Sequence, residues 1–130
     1  MLLDTSGLLC YFDNREARHG AAVVLYHAAA RPRVTHSYVL DEFVALATAR
    51  RLPRPTILTC ANAILDDPTI EVVWVDETLH RSALVLLGAR PDKTYSLCDA
   101  VSFVLLRARG LTDALTTDHH FEQEGFTRLL

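Results

Sequence analysis

Three carboxylates stand where a predicted strand ends or a predicted helix begins, and a fourth lies where it can face them. An apolar strand over residues 1–4 ends in Asp4, and Asp118 directly follows a second short strand. Asp99 lies in the first turn of one predicted helix, and Glu42 lies in the first turns of another. If these segments belong to one parallel sheet, the side chains meet at its carboxyl edge, where open α/β proteins bind ligands. The spacing therefore predicts an acidic site assembled from distant parts of the chain.

Four carboxylates packed together without a cation would repel one another, which would raise their pKa values and destabilise the fold. Mg²⁺ or Mn²⁺ would remove this repulsion, because these hard cations prefer oxygen ligands. A site of this kind polarises a phosphodiester and lowers the pKa of a bound water that attacks it. The hydroxyls of Ser6 and Thr116, and more weakly that of Ser96, could orient water or ligands. The acids thus indicate metal-assisted hydrolysis.

Each acid taken alone also fits a structural role. The spacing from Ser96 to Asp99 matches a capping box, in which the acid reaches back to the amide of the cap residue. Asp118 fits the N-cap of a short helix, and Asp4 fits a polar strand end. Glu42 lies beside apolar residues, where a carboxylate needs a partner. The metal-site interpretation therefore depends on all four acids coming together.

Strands and helices alternate around these acids, which determines the predicted fold. Predicted helices run to about Phe12, from Asp13–Asn14 to Ala28, from Ser37 to about Arg51, from Thr56 to about Asp66, from Asp76 to Gly88 and from Ser96 to Gly110. The β-branched run Ile70–Val75 is the clearest strand and is typical of one buried on both faces. The alternation predicts an α/β fold, a three-layer α/β/α sandwich with a mostly parallel sheet of about five strands. The length of 130 residues predicts a single domain, residues 1–130.

Composition narrows the class of protein further. No uninterrupted apolar run reaches the roughly 18 residues of a membrane span, and Asp4 interrupts any signal-peptide core. We therefore expect a cytoplasmic protein without a membrane partner. The three cysteines are far apart, form no CxxC pair and are expected to be buried. No two histidines have the helical spacing of a zinc protease, and at most His119 is expected to contact substrate.

The charge balance is compatible with an RNA partner. Net charge is −3, and setting the four acids aside gives −3 + 4 = +1, with Arg making up twelve of the thirteen basic residues. Arg50, Arg51 and Arg54 cluster at the end of the helix that carries Glu42, and Lys93 lies in the loop before Asp99. These side chains are possible phosphate contacts. Ordinary solvated surface charge is the alternative explanation.

Four sequence blocks carry a family resemblance that covers essentially the whole chain. They are LLDTSGLL, YVLDEFVALA, SLCDAVSFVLLRARG and ALTTDHHFEQEGF, in this order. The chain resembles PIN-domain proteins and, more narrowly, the VapC-type toxins of bacterial toxin–antitoxin pairs. The resemblance implies an endoribonuclease in which one or two Mg²⁺ or Mn²⁺ ions are held by an acidic quartet, with two supporting hydroxyls. In this numbering they are Asp4, Glu42, Asp99 and Asp118, with Ser6 and Thr116. It also implies a homodimer and a cognate antitoxin.

Several alternatives remain open at the level of the sequence. Asp41 adjoins Glu42, which we select because the family pattern has Glu there, and Gly7 is less usual than a larger residue. Asp118 could bind metal directly or through water. A housekeeping PIN-like nuclease without an antitoxin and a non-catalytic binding module both compete with the toxin interpretation. The target RNA cannot be read from the sequence.

Overall fold

A parallel sheet of five short strands carries helices on both faces in the computed structural model, which describes residues 1–29 and 32–130. The strands are β1 (Leu2–Leu3), β2 (Arg33–His36), β3 (Ile70–Val73), β4 (Asp113–Leu115) and β5 (Thr127–Arg128). The helices are α1 (Thr5–Phe12), α2 (His19–Ala28), α3 (Ser37–Ala49), α4 (Arg54–Asp66), α5 (Glu77–Gly88), α6 (Leu97–Ala108) and α7 (His120–Gln123). The predicted three-layer α/β fold is confirmed.

The order of the strands, β3-β2-β1-β4-β5, places β1 in the middle of the sheet. Leu2 is the register partner of Val34 on one side and of Ala114 on the other, and every strand pair is parallel. The chain winds outward from β1 to β3 and then returns to the opposite side of β1 with β4. The topological switch point therefore lies between β1 and β4, where α/β proteins of this kind form a crevice.

Neighbouring strand residues supply two separate hydrophobic clusters. Leu3 and Leu115 belong to the cluster that includes side chains of α1 to α4, whereas Leu2 and Ala114 belong to the cluster built mainly from α5 and α6. This division follows from the alternation of side chains along a strand. All four residues are fully buried. The central strands are thus held from both faces, which fixes the position of the residues that follow them.

Gly7 allows α1 to lie directly against β4. A Cβ atom at this position would stand 1.9 Å from the carbonyl oxygen of Leu115. The same carbonyl accepts the backbone N–H of Asp4 at 3.2 Å. The small residue that departs from the more usual family pattern is therefore required here by close backbone packing, and it brings the start of α1 beside the end of β4.

Some predicted boundaries and environments are wrong. The strand starting at Ile70 is not buried on both faces, because β3 pairs only with β2 at the edge of the sheet and is half-exposed. Helix α2 begins at His19 rather than near Asp13, since the Asp13 carboxylate accepts the N–H of Arg15 at 3.0 Å and makes a turn. None of the helices in the described parts of the chain is long and apolar enough to cross a membrane.

The predicted helix starts Asp76 and Ser96 are N-caps, whereas the N-cap positions of α3 and α7 are His36 and His119 rather than Ser37 and Asp118. Asp76 caps α5 and Ser96 caps α6, as predicted. Helix α3 is capped by the ring of His36, which accepts the N–H of Val39 at 3.4 Å, and not by Ser37. His36 is fully buried, and this burial lowers the pKa of its ring to about 4, which favours the neutral acceptor that a cap requires.

Candidate active site

A cleft of about 260 Å³ opens at the switch point between β1 and β4. All four predicted acids line it, although they come from the end of β1, from α3, from the start of α6 and from the loop after β4. The lining residues are Asp4, Thr5, Ser6, Glu42, Leu46, Thr94, Ser96, Asp99, Asp118 and His120. The structure thus brings together residues that are up to 116 positions apart (120 − 4).

Asp4 is the most deeply placed of the acids, with 5% of its surface exposed. Its Oδ2 accepts hydrogen bonds from Thr116 Oγ1 at 2.7 Å, from Ser6 Oγ at 2.9 Å and from the Ser6 N–H at 3.3 Å. Burial nevertheless raises the pKa of Asp4 to about 6, and the nearby charge of Asp99 adds to the effect, although the two hydroxyls oppose it. Asp4 is therefore a buried carboxylate whose negative charge the protein only partly compensates.

Asp99 has the structural role that its sequence position suggests and also faces the cleft. The predicted capping box is present, since Ser96 Oγ accepts the Asp99 N–H at 3.0 Å and Asp99 Oδ2 accepts the Ser96 N–H at 2.8 Å. Burial raises the pKa of Asp99, and the charge of Asp118 contributes in the same direction. The cap leaves Oδ1 unused, so capping and metal binding do not exclude each other.

Glu42 lies at the solvent-exposed rim of the cleft, where its Oε2 accepts a hydrogen bond of 2.6 Å from Thr5 Oγ1. Its neighbour Asp41 is not among the residues that line the cleft. The geometry therefore favours Glu42 over Asp41. Cys98 is buried below this rim, and burial together with the charges of Glu42 and Asp4 raises the pKa of its thiol.

His120 lines the cleft although the sequence did not indicate it, as do Thr5, Leu46 and Thr94. The Nδ1 of His120 lies 3.3 Å from Asp99 Oδ2 and 3.3 Å from Asp118 Oδ2, and its Nε2 lies 3.1 Å from Thr94 Oγ1. The sequence prediction considered His119 instead, which is 63% exposed in its side chain and does not line the cleft. Only the turn into α7 determines which of two adjacent histidines points toward the acids.

The hydroxyls of Ser6 and Thr116 form a small network beneath the acids. Ser6 Oγ and Thr116 Oγ1 are 3.0 Å apart, and both donate to Asp4. Thr116 Oγ1 also accepts the Asp118 N–H at 3.0 Å, and Ser6 Oγ accepts the Thr117 N–H at 2.9 Å. The network couples the end of β1 to the loop after β4, so it holds two of the acids in fixed positions.

The donor set of the cleft fits a hard divalent cation. Three oxygens accept no hydrogen bond of normal geometry from an N–H or O–H group of the described residues: Oδ1 of Asp4, Oδ1 of Asp99 and Oε1 of Glu42. Among the described residues no buried side-chain oxygen lacks a partner, so these oxygens reach the solvent of the cleft. No Lys or Arg from these residues lines it. Free carboxylate oxygens without a neighbouring cation are the ligands that Mg²⁺ and Mn²⁺ prefer.

A second grouping of donors overlaps the acidic cleft. Asp118, His119 and His120 each offer one ligand atom within 4.8 Å of the others. His119 is 63% exposed, with its Nδ1 3.5 Å from Asp118 Oδ1, whereas His120 is already engaged by two carboxylates and a hydroxyl. The oxygen-only set around Asp4 and Asp99 is therefore the better match to the predicted cation.

The four predicted phosphate contacts are not equally close to the acids. Arg50 lines a cavity that adjoins the cleft. Arg51 and Arg54 line neither space, and Lys93 pairs with Asp92 at 3.3 Å in the loop before α6. Proximity in the structure thus favours Arg50 among the four.

Comparisons with known proteins agree with this geometry. No family model matches the chain. The 23S rRNA-specific endonuclease VapC20 from two strains of Mycobacterium tuberculosis is 29% identical over 129 residues, which cover 99% of this chain and 97% of the relative. The crystal structure of Mycobacterium tuberculosis VapC20, described as a sarcin–ricin loop cleaving toxin, matches with a TM-score of 0.89 at 28% identity. That match covers 97% of this chain and 95% of the other. In sequence and in structure, the chain is therefore a relative of the VapC-type toxin ribonucleases, as its four sequence blocks predict.

Proposed function

We propose that this protein is a Mg²⁺- or Mn²⁺-dependent endoribonuclease and the toxin of a VapBC-type toxin–antitoxin pair. One observation carries the proposal: four acids from four places in the fold line one cleft, and no Lys or Arg of the described residues neutralises them there. The similarity to an endonuclease over 99% of the chain supports the same activity. A hydrolase that acts on RNA phosphodiesters is the function that this donor set serves best.

In this mechanism Asp4, Glu42, Asp99 and Asp118 would hold the cation or cations. When bound, the ion supplies Lewis-acid polarisation of the phosphodiester and lowers the pKa of the attacking water. The chain itself keeps the ligands in place before substrate arrives. Thr5 holds Glu42 with its hydroxyl, and the backbone N–H of Ser96 holds Asp99. Such preorganisation removes much of the rearrangement that catalysis would otherwise require.

The hydroxyl network gives Asp4 its fixed orientation. Ser6 and Thr116 both donate to Oδ2, so the carboxylate cannot rotate without breaking two hydrogen bonds, and Oδ1 remains for the cation. His120 orients Asp118, because its backbone N–H donates to Asp118 Oδ1 at 2.9 Å and its ring contacts Oδ2. We propose that Asp118 acts as the fourth ligand, directly or through water.

The comparisons suggest which RNA should be tried first. Both curated relatives are named as 23S rRNA-specific, and the solved relative is described as cleaving the sarcin–ricin loop. We propose that this protein also cleaves a loop of 23S rRNA. A bacterial ribosome and the isolated loop are therefore the first two substrates to compare.

We further propose that the protein acts in the cytoplasm as a homodimer of single PIN-like domains, residues 1–130, and that a cognate antitoxin inhibits it. The cleft provides a physical reason for such inhibition. An Arg side chain inserted among the four acids would neutralise them in place of the cation, with a fork of donors that fits carboxylate oxygens. If the protein is an active nuclease and no inhibitory partner is encoded with it, the better interpretation is a housekeeping PIN-like enzyme.

The deciding experiment measures cleavage of 23S rRNA and of a mixed RNA pool by the purified protein, with Mg²⁺, with Mn²⁺ and with EDTA. Asp99→Asn, purified identically, exposes contaminating ribonuclease. Asp92→Asn is the matched control, since it removes a carboxylate from an exposed position outside the cleft. We expect discrete products that need metal, persist in Asp92→Asn and disappear in Asp99→Asn. No cleavage with either metal would favour a non-catalytic binding module.

A further inference from the structure

A second cavity of about 250 Å³ adjoins the acidic cleft and shares two lining residues with it, Ser6 and Leu46. We call it the arginine pocket. Its lining residues are Ser6, Leu9, Cys10, Glu16, Ala17, Arg18, Leu46, Arg50 and Thr117. The two cavities therefore adjoin each other at Ser6 and Leu46, with four acids lining one and two guanidinium groups lining the other.

The two arginines differ in how far they are already engaged. The Arg18 side chain is exposed and makes no hydrogen bond or ion pair with any residue in the described ranges 1–29 and 32–130. Arg50 forms an ion pair with Glu16 through Nη1 alone, and its side chain is 47% exposed. A guanidinium has five N–H donors, so most of the donors of Arg50 remain available. With Glu16 included, the pocket has a net charge of +1.

We propose that the arginine pocket binds a backbone phosphate of the RNA next to the phosphodiester that is cleaved, an inference that rests on the proposed ribonuclease function. An RNA strand whose reacting phosphate lies among the acids must continue out of the cleft, and this pocket is contiguous with it. Guanidinium forks match the paired oxygens of a phosphate. The contact binds the backbone without reading its bases, so it sets the register of the strand.

Glu16 tunes this contact. Its carboxylate keeps Arg50 at the wall of the pocket, and it also competes with the phosphate for the same guanidinium. A phosphate that enters the pocket can take donors of Arg50 that Glu16 does not use. Replacing Glu16 by Gln removes the competing charge, so we expect Glu16→Gln to bind RNA more tightly than the wild type.

The test measures RNA cleavage kinetics for Arg18→Gln, Arg50→Gln and the double variant, with Arg81→Gln as the charge-matched control. Arg81 is exposed on α5 and lines neither cavity. For the double variant we expect KM to rise about tenfold with little change in kcat. The slope of log KM against log salt concentration should decrease by about 0.7, which is the value for one phosphate contact on a single strand. We expect Glu16→Gln to lower KM severalfold. Because the Arg18 side chain has no hydrogen-bond or ion-pair partner among residues 1–29 and 32–130, its substitution tests the pocket without removing a described contact.

Substrates with one neutral methylphosphonate beside the cleavage site identify the phosphate. We expect the wild type to cleave one of these substrates about tenfold more slowly than the unmodified RNA. The double variant should cleave the modified and unmodified RNA at the same rate. If the wild type cleaves RNA but the Arg variants behave like Arg81→Gln, this inference is wrong and the proposed function stands. If those variants instead lose only binding of the antitoxin, the pocket serves a protein and the inference is again wrong. If the wild type cleaves no RNA at all, both proposals fail.

Discussion

Two buried carboxylates in this protein have opposite electrostatic surroundings. Glu124, with 2% of its side chain exposed, accepts hydrogen bonds from Arg90 at 3.0 and 3.2 Å, from Tyr95 at 3.1 Å and from Arg107. Burial alone would raise its pKa, but these donors outweigh burial and the pKa is lowered. Asp4 is similarly buried, receives only hydroxyl and backbone donors, and has its pKa raised to about 6. The protein compensates the charge of Glu124 with its own donors, whereas it compensates the charge of Asp4 only in part.

This difference separates a structural acid from an acid that we propose to hold a cation, yet the two regions are connected. The Glu124 cluster holds Tyr95, which lies between Thr94 and Ser96 in the loop before α6. Both of those neighbours line the acidic cleft. A compensated charge thus supports the loop that carries Thr94 and the cap residue Ser96 to the acidic cleft.

The largest expected effect is on activity. We expect Asp4→Asn, Glu42→Gln and Asp99→Asn each to reduce cleavage by at least about 100-fold, because each removes a charge that holds the cation. The measurement is kcat/KM on the cleaved RNA, with folding checked by circular dichroism. Glu124→Gln is the contrasting variant and should keep its activity in the folded protein. A folded Asp99→Asn with near-wild-type activity would show that the comparison is mistaken.

The next effect is on stability and concerns the compensated acid. We expect Glu124→Gln to lower the free energy of unfolding by about 2 kcal/mol at pH 7, because two guanidinium groups lose their buried counter-charge. The value is below that of a fully buried pair, since Arg90 and Arg107 are 39% and 46% exposed. Urea unfolding measures the difference. An unchanged midpoint would mean that water compensates both arginines, and the cluster would then not be a structural device.

A smaller effect of opposite sign is expected for Asp4→Asn in metal-free protein. The pKa of Asp4 rises from 3.8 to about 6 on folding, so between these values the folded state binds more protons than the unfolded state. Ionisation of Asp4 therefore lowers stability as the pH increases from about 4 to about 6, and the loss persists above that. We expect Asp4→Asn to equal the wild type near pH 4 and to exceed it by about 1–2 kcal/mol at pH 7.

Urea unfolding in EDTA across pH 4 to 8 tests this, and Mn²⁺ should then stabilise the wild type but not Asp4→Asn. We expect the reverse trend for Glu124. Because folding lowers its pKa, its ionisation stabilises the fold above its unfolded pKa of 4.5, and this stabilisation is lost as the pH falls. If Asp4→Asn instead gains stability relative to the wild type as the pH falls, Asp4 is not a buried carboxylate whose charge the protein leaves partly uncompensated.

The smallest effect is expected from the hydroxyl that supports Asp4. Thr116→Ala removes a hydrogen bond of 2.7 Å to Asp4 Oδ2 while keeping every acid. We expect kcat/KM to decrease about five- to tenfold, the equivalent of one hydrogen bond of roughly 1 kcal/mol. Cleavage kinetics at saturating Mn²⁺ provide the measurement. A decrease in kcat/KM as large as that of Asp99→Asn would mean that Thr116 binds the cation itself rather than supporting Asp4.

The predictions from sequence were most successful where local physics decides. Alternating strand and helix patterns indicated the three-layer α/β/α sandwich. Ser96 and Asp76 cap the helices that the sequence starts at these residues. The environment of β3 was wrong, because β-branched composition alone does not distinguish an edge strand from a central one. Edge or centre depends on which strands pair, and pairing is a property of the whole sheet.

The candidate site divides in the same way. By itself the sequence determined that three acids stand at element ends and that a fourth lies on a neighbouring helix, since strand ends and helix starts are local features with a local residue code. Only the tertiary structure decided that His120 rather than His119 meets the acids, that Gly7 must be small to pack on Leu115, and that the arginine pocket adjoins the acidic cleft. These contacts join positions far apart in the chain, so their geometry follows from the packing of β1 against β4 and not from any single segment.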